Sequence, residues 1–457
     1  MDRERWNLAR LIPTSGVNGA EEQERRATSA LLAVMHSVRE FCRALTRPLG
    51  APVGVAAAYI EVPFVLHGKR LYPDGLIEIR RGNRTWTALV EVRTGANPLG
   101  APQVEDYLDI ARERGFDAVI TISNEIAPIS GHHPTRVEGR KPRKVALYHW
   151  TWSHVLAEAV AQKAHRGVAD AEQAWILGEL IRYLEHPKSG ALEFDDMGPS
   201  WAPVRETLAE GTLHPACEDA VDVARHFEAL VRFVALRLGR RLGDDATPLL
   251  TRRELADPNG RVHALAASLR RDGTMSGAIR VPSAVGPLAV TVDLKAATVT
   301  CHVDLDAPKT GGAATRVRWL LGQLDGADGG IRVESFLRRG RGVAAAEPLS
   351  VVRAQPLLLS PDHTRDLRAF RLVLRAPMGT GRRRGPDAFI DSVIRAVDHF
   401  YGAVVQQLKA WSPPVLRESP PVEPVAVAAT ALSSQDGPVD ERHPPRVMLN
   451  FERGSRR

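Results

Sequence analysis

Two β-rich runs, residues 74–80 (DGLIEIR) and 84–93 (RTWTALVEVR), stand three residues apart around Arg81-Gly82-Asn83. Glycine and asparagine tolerate positive φ, so this spacing predicts a tight hairpin. A hairpin fixes which side chains meet. Successive strand residues turn to opposite faces, so Glu91 and Arg93 share one face while Val92 points into the other layer. Asp74, where the first run starts, then falls near the far end of the second.

Helical periodicity brackets the hairpin. Upstream, residues 22–46 place Leu31, Met35, Val38, Phe41, Cys42 and Leu45 at three- and four-residue spacing, the stripe of one amphipathic helix. A β-rich run, VGVAAAYIEVPFVL, follows it. Downstream, APQVEDYLDIARERG puts Val104, Leu108 and Ala111 on one helical face and ends in a glycine stop. FDAVITIS is almost wholly apolar, as a strand covered on both faces must be. KVALYHWTW predicts a further strand, and SHVLAEAVAQ a helix with Ser153 as its N-cap. The order α-β-β-β-α-β-β-α describes an α/β domain over residues 1–165, a mixed sheet flanked by helices.

Beyond it, residues 166–250 read as a helical connecting region with long apolar stripes, as in AWILGELIRYLEH and EDAVDVARHFEALVRFVALRLGRRLG. Residues 251–411 read as an α+β domain: period-two strands LAVTVDL and ATVTCHVDL, a helix at TRVRWLLGQL, strands IRVESFLR and RAFRLVLR, and a long closing helix with Pro386 in its first turn. Prolines multiply over residues 412–457 without periodicity, which predicts a disordered tail, with RVMLNF a candidate docking peptide. Trp175 and Trp319 lie on apolar helical faces and are expected in cores.

The formal net charge of +7 over 457 residues favours an acidic partner only weakly, so clustering matters more. Positive charge collects in SGHHPTRVEGRKPRK, LRRGRG and GTGRRRG, each suited to a phosphate backbone or to solvent. His132 and His133 are adjacent and point apart, so they are not read as metal ligands. Cys42, Cys217 and Cys301 form no CxxC pair, which argues against a zinc knuckle or disulfide framework and leaves them as small core residues. The charged N-terminus and the lack of a long apolar run predict a cytoplasmic protein that does not enter a membrane.

Chemistry concentrates at the hairpin. Two carboxylates on one spot repel unless a cation lies between them, and a hard divalent ion with oxygen ligands resolves the conflict. Pro73-Asp74 followed by Glu91-Val92-Arg93, on the second and third strands after the first helix, resembles the motif of the PD-(D/E)xK nucleases, which have the restriction-endonuclease-like fold. Gln103 and Tyr107, at i and i+4 on the next helix, resemble the Gln-xxx-Tyr signature of the RecB-like branch. The resemblance covers residues 22–162 and none of the remainder.

The resemblance implies that Asp74, Glu91 and the Val92 carbonyl hold Mg²⁺ or Mn²⁺, with Gln103 and Tyr107 orienting the site or contacting the strand. A further acid from upstream is expected, with Glu40 and Glu61 the candidates. Arg93 stands where the family has lysine. A guanidinium stays protonated, so it cannot take a proton from water, but it can stabilise charge developing on phosphorus oxygens. The implied activity is metal-dependent hydrolysis of DNA, weakened by that exchange, in defence against foreign DNA or in repair. Two other readings remain open: a catalytically inactive nuclease fold that binds nucleic acid, and a stress-related scaffold that meets proteins through its C-terminal domain or tail; the partner expectations are DNA, such a protein, and a second copy of the chain as a homodimer.

Overall fold

In the computed structural model the hairpin is the centre of the N-terminal sheet. Residues 7–8, 20–95, 97–126, 133–135, 137, 145–191, 194–212, 214, 217–362 and 365–412 are described. The elements of this region are β1 (Asn7–Leu8), α1 (Ala20–Ser37), α2 (Arg39–Thr46), β2 (Val55–Ile60), β3 (Phe64–Leu66), β4 (Lys69–Leu71), β5 (Gly75–Arg81), β6 (Arg84–Val92), α3 (Ala101–Arg114), β7 (Ala118–Ser123), β8 (Ala146–Thr151) and α4 (Trp152–Ala161). The six-stranded sheet runs β1-β2-β5-β6-β7-β8. Pairing is antiparallel from β1 to β6 and parallel for β6/β7 and β7/β8. α3 makes the crossover that a parallel β6/β7 pair requires.

Each face of this sheet has its own core. Leu76, Leu89 and Val119 pack with Val104, Leu108 and Ala111 of α3. Their neighbours of opposite parity, Ile77, Val90 and Ile120, pack with Leu31, Phe41 and Val155 from α1, α2 and α4. β7 is buried at all six positions, as its unbroken apolar run requires. Gly75 lets α1 approach β5: a Cβ there would lie 2.3 Å from Leu32 Cδ1.

Local departures from the sequence reading have local causes. The helix expected over residues 22–46 breaks at Val38, whose φ of −102° and ψ of 94° are extended, and the apolar stripe stays buried on both arms. The β-rich run divides at Glu61, where φ is +51°, into β2 and the short β3–β4 hairpin. Ser153 is not the cap of α4. Thr151 ends β8 in an extended conformation and its side chain accepts the His154 N–H, so strand passes straight into helix.

The connecting region holds α5 (Ala171–Glu185), α6 (Trp201–Ala209) and α7 (Glu218–Leu242). Trp175 is 60% exposed, contrary to expectation, because α5 buries Leu177, Leu180 and Leu184 on another side. α7 packs against α4 and also against the C-terminal region, and the described residues as far as Trp411 form one compact unit.

The C-terminal elements are β9 (Thr247–Pro248), α8 (Arg252–Ala256), α9 (Pro258–Asp272), β10 (Thr274–Arg280), β11 (Leu288–Asp293), β12 (Thr298–Asp306), α10 (Ala313–Leu321), β13 (Arg332–Leu337), β14 (Ala345–Pro348), α11 (Leu349–Ala354), β15 (Leu367–Pro377) and α12 (Phe389–Ala403). Their antiparallel sheet runs β14-β13-β15-β12-β11-β10-β9. Buried residues of its inner face join α7, α9 and α12 in one core, and Trp319 packs at its margin. Pro386 precedes α12 rather than lying in its first turn.

Cys42 and Cys301 are buried, and desolvation pushes both thiols up to about 12, as inert core residues; Cys217 is half-buried. Among the described residues, no helix is long and apolar enough to cross a membrane. The proline-rich segment and RVMLNF lie outside the described residues, as does most of the basic loop around His132.

Candidate active site

Gly75 pairs with Val90, and continuing that register brings Asp74 beside Glu91. The parallel pairs Glu91↔Thr121 and Thr121↔His149 extend the row across β7 and β8. Register partners share a face, so Asp74, Glu91, Thr121 and His149 form one polar line at the edge of the apolar layer under α3.

Arg93 follows β6 and is fixed through its backbone. Its N–H donates to Ile122 O at 2.7 Å, and its carbonyl accepts the Trp152 indole N–H at 2.9 Å. The side chain turns back over the carboxylates. Arg93 Nη1 lies 2.7 Å from Glu91 Oε1, 2.8 Å from Val92 O, 3.2 Å from Glu24 Oε1 and 3.7 Å from Asp74 Oδ2. These oxygens include those of Asp74, Glu91 and Val92, the ligands the motif implies, together with an upstream acid other than the two expected.

That acid is Glu24 of α1. Its Oε2 also accepts the Thr94 N–H at 3.3 Å. Neither expected candidate reaches the focus. Glu40 Oε1 accepts the Ala169 N–H at 3.3 Å, and Glu61 pairs with Arg25 at 3.1 Å. Chain direction explains the difference. α2 connects to the start of β2, whose other end, Ile60, pairs with Gly75 beside Asp74. The beginning of the helical segment, rather than its end, therefore lies over the site.

Gln103 and Tyr107 join the cluster from α3. Arg93 Nη2 donates to Gln103 Oε1 at 2.5 Å, Gln103 Nε2 donates to the Tyr107 hydroxyl at 3.1 Å, and that hydroxyl donates to Tyr72 O at 3.4 Å. All five side chains singled out from the sequence thus converge. Glu91 is only 1% exposed, which excludes a surface ion pair with Arg93.

Charge at this focus is incompletely compensated. An NH₂ group has two hydrogens, and those of Nη1 are directed to Val92 O and Glu24 Oε1. Glu91 Oε1 is the nearest oxygen and ion-pairs with Nη1 at 2.7 Å, although neither hydrogen points to it, and Asp74 and Tyr107 are the other polar groups against this buried carboxylate. Burial, and then the Asp74 charge, raise the Glu91 pKa well above the ordinary carboxylate range despite Arg93. Burial also pushes Asp74 up to about 6, against the Val92 N–H it accepts at 2.8 Å and the Arg93 charge. Burial opposes the Arg93 charge, but its three carboxylate neighbours raise its pKa overall. Three acids facing a single guanidinium leave excess negative charge, which fits a divalent cation. Among the described residues, however, no three His, Cys, Asp or Glu side chains already form a metal cage.

Further along the row, Thr121 Oγ1 lies 2.7 Å from His133 Nε2 and 2.8 Å from His149 Nδ1. Desolvation lowers both imidazole pKa values, that of His149 to about 3. The Thr121 contact ties His133 to the sheet. The arginines of GTGRRRG are engaged in pairing: Arg382 and Arg383 with Asp196 at 2.8 and 3.1 Å, and Arg384 with Asp391 at 2.6 Å. They close the C-terminal fold rather than present a free phosphate cradle. No family model matches this chain, and no curated protein or solved structure matches it.

Proposed function

We propose that the chain is a metal-dependent phosphodiesterase acting on DNA, with its chemistry at Asp74, Glu91 and Glu24. The observation that carries this reading is the convergence of three carboxylates and the Val92 carbonyl on one point, where a single guanidinium faces all three acids. The strand order around the hairpin accords with the restriction-endonuclease-like fold that the motif resembles, and the Gln103–Tyr107 pair reaches the site as the resemblance implies. Asp74, Glu91, Glu24 and Val92 O would hold Mg²⁺ or Mn²⁺. When bound, the ion supplies Lewis acidity toward the scissile phosphate and lowers the pKa of an attacking water. Arg93 remains protonated and contributes positive charge where negative charge develops on the phosphoryl oxygens. Gln103 orients that guanidinium, and Tyr107 orients Gln103.

A second reading has its own support: Arg93 Nη1 itself occupies the point where the four oxygens meet. A permanently seated guanidinium would leave a nucleic-acid-binding module without hydrolysis. Incubation of single-stranded and duplex DNA with Mg²⁺ or Mn²⁺, beside Asp74→Ala and Glu91→Ala, separates the two. The hydrolase reading expects cleavage by the native chain and none by either variant. Salt-dependent binding without cleavage favours the module, whereas no DNA affinity at any salt removes both and favours the protein scaffold.

A further inference from the structure

The segment leading into Asp74 carries an exposed ring that the hydrolytic reading does not use. Tyr72 is 51% exposed, two residues before Asp74 and next to buried Pro73. An isolated surface tyrosine needs no explanation. Trp175 is one example, more exposed still. Tyr72 differs in three respects.

Its backbone is indexed to the reacting centre. Tyr72 O is the terminus of the chain Arg93–Gln103–Tyr107–Tyr72, so the residue bearing the ring and the guanidinium are fixed to the same two α3 side chains. The hairpin beneath it is anchored. Phe64 and Leu66 of β3 are buried in the α3 layer, Phe64 stands edge-on to Phe116 with centroids 5.9 Å apart, and Lys69 reaches Asp106 at 3.5 Å. The outer side of that hairpin is open: Arg70 and its cross-strand partner Val65 are exposed there, and Arg70 and Tyr72 alternate with half-buried Leu71.

We propose that Tyr72, with Arg70 beside it, forms a base-stacking subsite for single-stranded nucleic acid at the approach to the carboxylate site. The proposal rests on the reading of that site as one that meets nucleic acid. A ring that is half-open on a fixed backbone offers its π-face to a base, and an adjacent guanidinium offers charge to the phosphate that follows. Bases in a duplex are already stacked on one another, whereas those of a single strand present faces to any ring they meet. Lys69 is less available for this role, because Asp106 shares its charge.

The test measures binding in EDTA, where no hydrolysis intervenes, using the full chain and a fluorescent oligothymidylate with a duplex of equal length as comparison. The native chain is expected to favour the single strand. Tyr72→Ala should weaken single-strand affinity about tenfold and leave duplex affinity unchanged, which also reports an intact fold. Tyr72→Phe should retain native affinity. Equal affinity of the native chain for both forms, an unaltered Tyr72→Ala, or a Tyr72→Phe as weak as Tyr72→Ala would overturn the subsite. Cleavage with Mg²⁺, measured separately, keeps the two readings distinguishable. Tyr72-dependent binding without cleavage retains the subsite and removes the hydrolase, whereas cleavage with Tyr72-independent binding does the reverse.

Discussion

Glu24 reaches Arg93 at 3.2 Å across 69 residues of sequence, joining the first turns of α1 to the end of β6. The contact brings a third carboxylate to a guanidinium that already faces Glu91 and Asp74. Removing the acid while retaining its shape tests its part in the chemistry. Glu24→Gln keeps an oxygen for the Thr94 N–H but loses the charge, and should lower Mg²⁺-dependent cleavage about tenfold or more. Glu40→Gln and Glu61→Gln should stay within about twofold of native, since neither side chain contacts the cluster. Equal losses in all three would mean that Glu24 has no special place.

Arg93 and a divalent cation compete for the same oxygens, so the guanidinium should influence metal binding even where no substrate is present. Arg93→Ala leaves buried Glu91 facing the partly buried carboxylates of Asp74 and Glu24. In EDTA it should destabilise the protein by about 3 kcal/mol, the usual penalty for stranding one side of a buried charge group. Mn²⁺ should restore that loss by mass action, giving a larger metal-induced rise in Tm than in the native chain. Thermal unfolding with and without Mn²⁺ measures both. Equal metal-induced shifts in the two proteins would show that Nη1 does not contest the cation position.

The site residues of the hairpin and α3 were legible because they are local in sequence. Gly82 sets the register that places Asp74 beside Glu91, and the i, i+4 spacing puts Gln103 and Tyr107 on one side of α3. Glu24 was not, because its place depends on which way a helix crosses the sheet. The short link from α2 to β2 carries that information, but only once β2 is known to run toward Asp74. Trp175 misled because a broad apolar stripe extends past the buried side of α5. The Thr121 row was hidden for a different reason: parallel pairing of β6, β7 and β8 is non-local, and no periodicity reveals its register.

The carboxylates give the fold a distinct pH dependence. Asp74 has an ordinary value of 3.8 and is pushed up to about 6 on folding, chiefly by burial. The folded chain therefore binds more protons than the unfolded chain between these values, and stability falls as pH rises through that window. Glu91, also raised, extends the fall upward. Asp74→Asn removes one charge and relieves the repulsion on the other. In EDTA it should gain on the order of 1–2 kcal/mol at pH 7.5, with the gain vanishing near pH 4. Denaturant midpoints at several pH values provide the measurement, and a pH-independent difference would contradict it.

Gly75 connects packing to the site, because it sits between Asp74 and the apolar part of β5. Its missing Cβ admits Leu32 of α1, whose Cδ1 would be 2.3 Å from a methyl group there, and Tyr59 O would be 3.3 Å away. The strand backbone is already in an ordinary paired conformation, so the obstacle to alanine is steric overlap rather than torsional strain. Gly75→Ala should destabilise by about 1–3 kcal/mol, the range for overfilling a packed core. Any displacement of α1 would also carry Glu24 away from Arg93, so cleavage should fall along with stability. Leu32→Ala alone should cost about 2–5 kcal/mol through the cavity it opens. In the double variant the new methyl occupies part of that cavity, and the combined loss should be smaller than the sum. Urea unfolding of the two single variants and the double variant reads the coupling directly; strict additivity would mean that Leu32 does not meet Gly75 as described.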